Sequence, residues 1–196
     1  NEIQAMFNNI APRYDFLNRL LSIGYDKYWR KMAVNQLGNL GNKTFLDMAT
    51  GTADIALEIA KRSPSALKII GMDSSQAMLN LGKNKIKEIN FNKEIPLIPG
   101  SAENIPIKDK VFDGAITAFG VRNFSDIQKG LLEMHRVLKP NGKLVVLEFS
   151  FPKNILFQWF YKFYFKNILP LTGRIVSGHK TAYSYLPESV ANFPQG

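Results

Sequence analysis

Residues 45–60 read FLDMATGTADIALEIA: an apolar run that closes on Asp47, a loop of small residues over 49–53, and a segment whose apolar positions 55, 56, 59 and 60 share one helical face. Strand, tight loop and helix in that order open a parallel sheet covered by helices. Outward from this unit the pattern repeats. Strands are predicted over 44–48, 67–72, 96–99, 112–118 and 143–149, with helices over 54–61, 75–86 and 125–138 between them. Ser75 and Ser125 stand where N-caps belong, and Pro140 and Gly142 close the last helix. Strict alternation and short connections imply right-handed crossovers, hence a Rossmann-like, doubly wound α/β domain with a mostly parallel sheet.

The flanks differ in composition. Residues 1–40 are rich in aromatic and basic side chains and helical by period at least over 26–37; residues 41–150 hold the alternating core; residues 151–196 open on FPKNILFQWFYKFYFKNILPL. No repeat or low-complexity linker separates them, and 196 residues that are 45% apolar suit a single domain with both flanks packed on the core. Segment 1–40 is expected as a helical cap over the core's binding site, and 151–196 as an aromatic helix followed by a substrate-side segment.

The absence of cysteine excludes disulfides, thiolate zinc sites and cysteine nucleophiles. Two histidines, His135 and His179, are too few and too separated to suggest a metal cluster, so no metal site is expected. His135 lies on an amphipathic helix and reads as a surface residue, whereas His179 sits in a loop bearing Gly and Ser. No stretch has the pattern of a membrane span or a secretory leader, so a cytoplasmic location is expected. A formal charge of +9 raises nucleic acid and anionic membrane surfaces as partners, although the basic residues are scattered rather than run together.

A small-residue loop after the first strand serves one of two ligand chemistries: the pyrophosphate of a dinucleotide, or S-adenosylmethionine, which has no phosphate. The dinucleotide fingerprint wants G-x-G-x-x-G, with backbone amides and a helix N-terminus facing the pyrophosphate. Here only Gly51 is a glycine, free to take dihedrals closed to other residues, and Asp54 stands where a phosphate would approach. An acid there suits the helix dipole and repels pyrophosphate, but is compatible with a sulfonium and its cationic amine. Asp47 is a second acid able to hold that amine directly or through water. About twenty residues on, GMDSSQAML places Asp73 to accept both ribose hydroxyls of an adenosine. The stretch GSAENIPIKDKVFD then sets Ser101 and Ala102 against the adenine ring. Asp54 as a helix-start residue and Asp73 as a cap are the structural alternatives, and their joint spacing favours a cofactor.

Five stretches carry a resemblance: MFNNIAPRYDFLN (6–18), LDMATGTAD (46–54), FDGAITAFGVRN (112–123), RVLKPNGKLVVLEFS (136–150) and YSYLPESVANFPQG (183–196). Through them the chain resembles the class I S-adenosylmethionine-dependent methyltransferases and, more narrowly, the UbiE/MenG family of C-methyltransferases in menaquinone and ubiquinone biosynthesis. RYDxxN together with FGxRN and LEFSxP is the selective part. The resemblance implies S-adenosylmethionine as cofactor, with contacts at Thr52, Asp73, Ser101 and Ala102, and a prenylated quinol as substrate: demethylmenaquinol, the ubiquinone precursor, or both. Ala118 stands where a serine contact is usual, and Ala53 replaces a loop glycine. The resemblance also implies a further helix and closing strand pair beyond FPQG, so five strands rather than seven are expected in this chain.

Methyl transfer from a sulfonium is an in-line displacement in which the enzyme supplies alignment and excludes water. A hydroquinol becomes a carbon nucleophile once its phenolic proton is lost or shared, without a metal. Arg122 is a permanent cation able to stabilise the phenolate, and Asn123 is placed to position it; Tyr14 as hydrogen-bond partner and Asp15 as base close over the same pocket. Residues 155–168 are apolar apart from Gln158, Lys162 and Lys166, a pattern that suits a prenyl-tail channel, transient contact with a membrane surface, or simple burial. A nucleic-acid methyltransferase fits less well and no nucleic-acid partner is expected. AFGV replaces the polar-Pro-Pro-aromatic tetrapeptide of amine methylation, and cytosine C5 chemistry needs a cysteine. A module that binds the cofactor without transferring the methyl is the other reading.

Overall fold

The computed structural model describes residues 2–62, 68–89 and 94–150, together with Tyr185, Ser189, Val190 and Phe193. The aromatic segment 155–168 and His179 lie outside the described residues. In chain order the elements are α1 (Glu2–Leu21), α2 (Tyr25–Gln36), β1 (Thr44–Met48), α3 (Asp54–Arg62), β2 (Lys68–Asp73), α4 (Gln76–Glu88), β3 (Leu97–Pro99) and β4 (Phe112–Ala118). A short 3-10 turn (Val121–Asn123), α5 (Ile127–Val137) and β5 (Leu138–Leu147) follow. The five strands are parallel in the order β3-β2-β1-β4-β5. The order therefore reverses between β1 and β4, and the crevice beyond their carboxyl ends is where this architecture takes ligands.

Side-chain alternation along β1 explains why both sheet faces are covered. Phe45 packs with Val34 of α2, Leu37 just after it, and Ile55 and Ile59 of α3. Leu46 and Met48 point the other way, toward Phe112 and toward Met134 and Val137 of α5. All of these are buried, so the strand reads as a continuous apolar run interrupted only by Asp47.

Ser75 caps α4 as its position predicts, its hydroxyl accepting from the Met78 N–H at 3.2 Å. In α5 the cap moves one residue on. Asp126 accepts from the Lys129 N–H at 2.9 Å, because Ser125 is drawn instead to Glu103, to which its N–H and hydroxyl donate at 2.6 and 2.8 Å. The last strand also differs from the expected 143–149. It begins at Leu138, paired with Phe112, and its register resumes only at Lys143 opposite Gly114. Residues 139–142 bulge between, with Asn141 in the left-handed region (φ 63°) and Pro140 unable to donate. The Pro and Gly do mark a break, but it lies inside a strand.

The helix expected over 26–37 is α2, Tyr25–Gln36, and α1 precedes it as a separate helix that runs through Pro12 for 20 residues. Its apolar residues occupy two faces. Ile10, Ala11 and Leu17 pack on Met78 of α4, whereas Phe16 and Leu20 are exposed, so no single stripe announces the helix. Asn8 Oδ1 accepts from Ser75 Oγ at 2.6 Å and from the Ala77 N–H at 3.3 Å, which fixes α1 over the start of α4.

Candidate active site

The loop leaving β1 is built from unusual backbone. Ala49, Gly51 and Ala53 are all left-handed, with φ of 56°, 55° and 67°. Only the glycine adopts this without cost, the alanines giving up about 1–2 kcal/mol each. Hydrogen bonds hold the shape: Thr50 N–H to Met72 O and Ala53 N–H to Thr50 O, both 2.9 Å, and Gly51 N–H to Asp73 Oδ2, 2.8 Å. Asp47 Oδ2 accepts from Thr50 Oγ1 at 2.5 Å and from the Ala56 N–H at 3.0 Å, tying the loop to α3 from below.

Above the carboxyl ends of the strands lies a cavity of about 220 Å³. Met48, Ala49 and Gly51 line it from β1, Asp73 and Ser74 from β2, and Gly100, Ser101, Ala102 and Glu103 from the segment after β3. Ala118, Phe119, Gly120, Asn123 and Phe124 come from the segment after β4, and Ile3, Phe7 and Tyr14 from α1. No lysine, arginine or histidine lines it among the described residues; its carboxylates are Asp73 and Glu103. Burial pushes the Asp73 carboxyl up, opposed by the N–H groups of Ser75 and Gly51 that it accepts. Burial would also raise Glu103, but hydrogen bonds from Ser101 and Ser125 outweigh it and hold the carboxyl at about 2. A crevice lined by acids and no base repels pyrophosphate and suits a cation. The donor set thus fits the sulfonium cofactor implied by the sequence.

The predicted residues divide into two groups. Gly51, Asp73, Ser101, Ala102, Tyr14 and Asn123 meet at this cavity; Asp47, Thr52, Asp54, Asp15 and Arg122 stand behind it. Asp54, at the helix start, is not among the residues that line the cavity. It pairs with Lys85 Nζ at 2.7 Å and Arg30 at 3.5 Å, cations that outweigh burial and hold its carboxyl below the usual range. Asp15 is likewise engaged and not free as a base: its oxygens accept from Thr52 Oγ1 and Lys85 Nζ, both at 2.6 Å. Arg30 and Arg19 also bind Asp26, so three acids and three bases join α1, α2, α3 and α4 beneath the loop. Asp47 is buried beneath the loop, where burial pushes its carboxyl up to about 7 against the hydrogen bonds from Thr50 and Ala56.

On the opposite side, Arg122 donates to Glu148 Oε1 and to the Phe119 carbonyl, both at 2.6 Å, and lies 5.6 Å from the Phe149 ring centre. Its Nε is buried without a partner among the described residues. Asn123 reaches the cavity, its Nδ2 donating to Phe119 O at 3.3 Å and its Oδ1 accepting from Tyr185 Oη at 2.9 Å. Burial raises the Tyr14 phenol, against the hydrogen bond with Asn18 and the charges of Arg122 and Arg30. Phe119, left-handed at φ 59°, stacks on Phe149 at 4.6 Å, with Trp29 edge-on to both at 6.2 and 6.1 Å.

Sequence reasoning assigned no role to Glu103, Glu148, Tyr185, Phe119 or Lys85. The first four lie inside quoted stretches, SAEN, LEFS, YSYLPES and AFGVRN, next to residues that were singled out. Lys85 is one of several lysines along α4, and nothing in its spacing marks it.

The profile of the ubiE/COQ5 methyltransferase family matches residues 1–196. The chain is similar to the ubiquinone/menaquinone biosynthesis C-methyltransferase UbiE of Geotalea daltonii, 49% identical over 193 residues that cover 98% of this chain and 82% of that protein. It is also similar to the demethylmenaquinone methyltransferase of Deinococcus radiodurans, 45% identical over 195 residues, 98% of this chain and 79% of that one. Among solved structures, a Methanococcus maripaludis protein assigned to the S-adenosylmethionine-dependent methyltransferases matches with a TM-score of 0.65 at 21% identity, over 94% of this chain and 83% of that one. A SAM-dependent methyltransferase of Aquifex aeolicus gives 0.61 at 20% identity, over 72% and 75%. At such identities the structures speak to the fold alone, which is that of the class I methyltransferases. Family profile and relatives, each spanning nearly the whole chain, go further: the chain belongs to the ubiE/COQ5 methyltransferase family, and its cofactor is S-adenosylmethionine.

Proposed function

We propose that this methyltransferase acts on a ring carbon of a prenylated quinol: demethylmenaquinol, the ubiquinone precursor, or both. The observation that carries the reading is the mixed lining of the cavity. Asp73 and Glu103 give it acids, and Tyr14, Phe119, Asn123 and Phe124 add the aromatic, uncharged surface that a quinol ring needs. The names of the Geotalea and Deinococcus relatives support it.

Asp73, Gly51, Ser101 and Ala102 would hold the cofactor, while Asp47, Thr52 and Asp54 shape the loop from behind. Bound there, S-adenosylmethionine supplies an electrophilic methyl group. Tyr14 and Asn123 hydrogen-bond the phenolic oxygen of the acceptor and stabilise the phenolate, whose formation raises electron density at the adjacent carbon. Arg122 acts from behind Asn123 through its charge, and Asp15 anchors the cap to the loop. Residues 1–40 form the cap that keeps water from the reacting atoms, and 151–196 the substrate-side segment.

The enzyme meets its lipid-tailed substrate at the inner face of a membrane. Among the described residues no helix is long and apolar enough to cross one. Yet α1, α2 and the turn between them expose Phe16, Leu20, Ile23, Tyr25, Tyr28 and Met32, with exposed Lys27 and Lys31 on α2. Such a mixture of aromatic, apolar and basic side chains suits the headgroup boundary. Flotation with anionic liposomes should carry the protein upward; protein left at the bottom of the gradient sinks the peripheral part. For the chemistry, the intact protein is incubated with methyl-labelled cofactor and each reduced quinol precursor. Label is expected in at least one, and label in neither refutes the reading.

A further inference from the structure

Tyr185 belongs to none of the roles assigned above, yet its hydroxyl reaches across 62 residues of sequence to Asn123 Oδ1 at 2.9 Å. The amide it touches is oriented by chemistry. Asn123 Nδ2 lies 3.3 Å from the Phe119 carbonyl, which can only accept, so nitrogen faces Phe119 and oxygen faces Tyr185, whose hydroxyl is the donor. The carbonyl is itself fixed. Phe119 donates its N–H to Leu147 O at 2.7 Å, and its oxygen also takes Arg122 at 2.6 Å, held in turn by Glu148. The Asn123 N–H donates to Gly120 O at 2.9 Å, which secures the main chain. These contacts use one of the two Nδ2 hydrogens. The other has no partner among the described residues, on a side chain that lines the cavity.

We propose that Tyr185 is a positioning residue, clamping the Asn123 carboxamide so that its remaining Nδ2–H is presented to the phenolic oxygen of the acceptor, where negative charge builds as the hydroxyl gives up its proton to form the phenolate whose ring carbon then attacks. The proposal rests on the quinol reading. Without the Tyr185 hydroxyl the amide is free to turn about its broad terminal torsion, and the donor is present but misdirected. A donor fixed in advance stabilises a developing oxyanion far more than a mobile one.

The test uses the full chain with labelled cofactor and the reduced quinol that the wild type methylates. Tyr185→Phe should lower kcat about tenfold, with KM for the cofactor and the melting temperature near wild type. Asn123→Ala should lower kcat about a hundredfold. Adding Tyr185→Phe to Asn123→Ala should cost nothing further, because the clamp has nothing left to hold. Asn123→Asp still accepts from Tyr185 but has no N–H to offer, so it should lose as much as Asn123→Ala. Losses that multiply in the double variant, a wild-type kcat in Tyr185→Phe, or a wild-type kcat in Asn123→Asp would each overturn the clamp. The Asp variant decides the matter if Tyr185→Phe does not fold. A wild type that labels neither quinol overturns the underlying reading, whereas an active wild type with unaffected variants overturns the clamp alone.

Discussion

Asp47→Asn should make the protein less stable near pH 4.5 and more stable at pH 8, while changing cofactor affinity little. The carboxyl at the end of β1 is 1% exposed, and its Oδ2 takes the Thr50 hydroxyl and the Ala56 N–H. Burial carries it from 3.8 to about 7. Between those values the folded state binds the proton and the unfolded chain does not, so stability falls as pH rises through the window and is flat above it. A rise of this size corresponds to about 4 kcal/mol. Asparagine keeps an oxygen for Thr50 and Ala56 and carries no charge, but buries an amide nitrogen at a cost of about 1–3 kcal/mol. The net effect is therefore a loss of up to about 2 kcal/mol at pH 4.5, where the wild type already carries about 1 kcal/mol of the penalty, and a gain of about 1–3 kcal/mol at pH 8. For a chain of this length each kcal/mol moves the melting temperature by about 2–4 °C.

Melting followed by circular dichroism from pH 4.5 to 8, plotted as variant minus wild type, isolates this group from the others that titrate. The difference should change sign from negative to positive across the range. A flat negative difference would show that Asp47 is ionised in the folded protein and would refute the reasoning. Calorimetric titration with S-adenosylmethionine at pH 8 completes the test. Asp47 does not line the cavity, so the dissociation constant should stay within about threefold, a change under 1 kcal/mol. A tenfold weakening would return Asp47 to the cofactor's amine.

Lys85→Met removes the cation between Asp15 and Asp54. With these side chains 25–39% exposed, a loss of about 2 kcal/mol is expected, between the surface and buried limits, and an unchanged melting temperature would count against the network. In Gly120→Ala the new Cβ would lie 2.5 Å from Ala49 Cβ and 2.9 Å from Thr117 Oγ1. The two loops must part, which should cost about 1–3 kcal/mol and weaken cofactor binding in calorimetry. Asp73→Ala leaves the Gly51 and Ser75 N–H groups without their acceptor. Cofactor affinity should fall at least about tenfold; retained affinity would take Asp73 off the cofactor side.

The parallel sheet was legible because its signals are local. Apolar runs of strand length alternate with helical periods, and Ser75 caps the helix it was expected to cap. Asp73 and Ser101 were legible because each follows a strand end, and the strand order puts strand ends at the crevice. Ion pairing was not. Asp15 and Lys85 are 70 residues apart, and no spacing rule predicts that one lysine among several on α4 would occupy two acids that looked free in the sequence. Backbone conformation was hidden as well. Ala49, Ala53 and Phe119 are residue types that seldom adopt positive φ, and only the surrounding hydrogen bonds explain why they do so here.

The choice between pyrophosphate and a sulfonium rests on which groups are left unengaged, more than on how many glycines the loop holds. A phosphate loop offers free N–H donors; here those of Thr50, Gly51 and Ala53 go to Met72 O, Asp73 and Thr50 O. A phosphate site also needs unpaired cations, yet Arg30, Lys85 and Arg122 are each held by acids. What faces the cavity is the reverse set: Asp73 and Glu103, carboxylates whose hydrogen-bond partners are N–H and O–H groups. Pairing the bases behind the loop, Asp54 included, leaves the negative charge inside the crevice uncompensated, where low-dielectric walls concentrate its field on a cation. Asp54 adds a second acid to Lys85 and Arg30, already bound by Asp15 and Asp26, and so completes the pairing of the bases behind the loop.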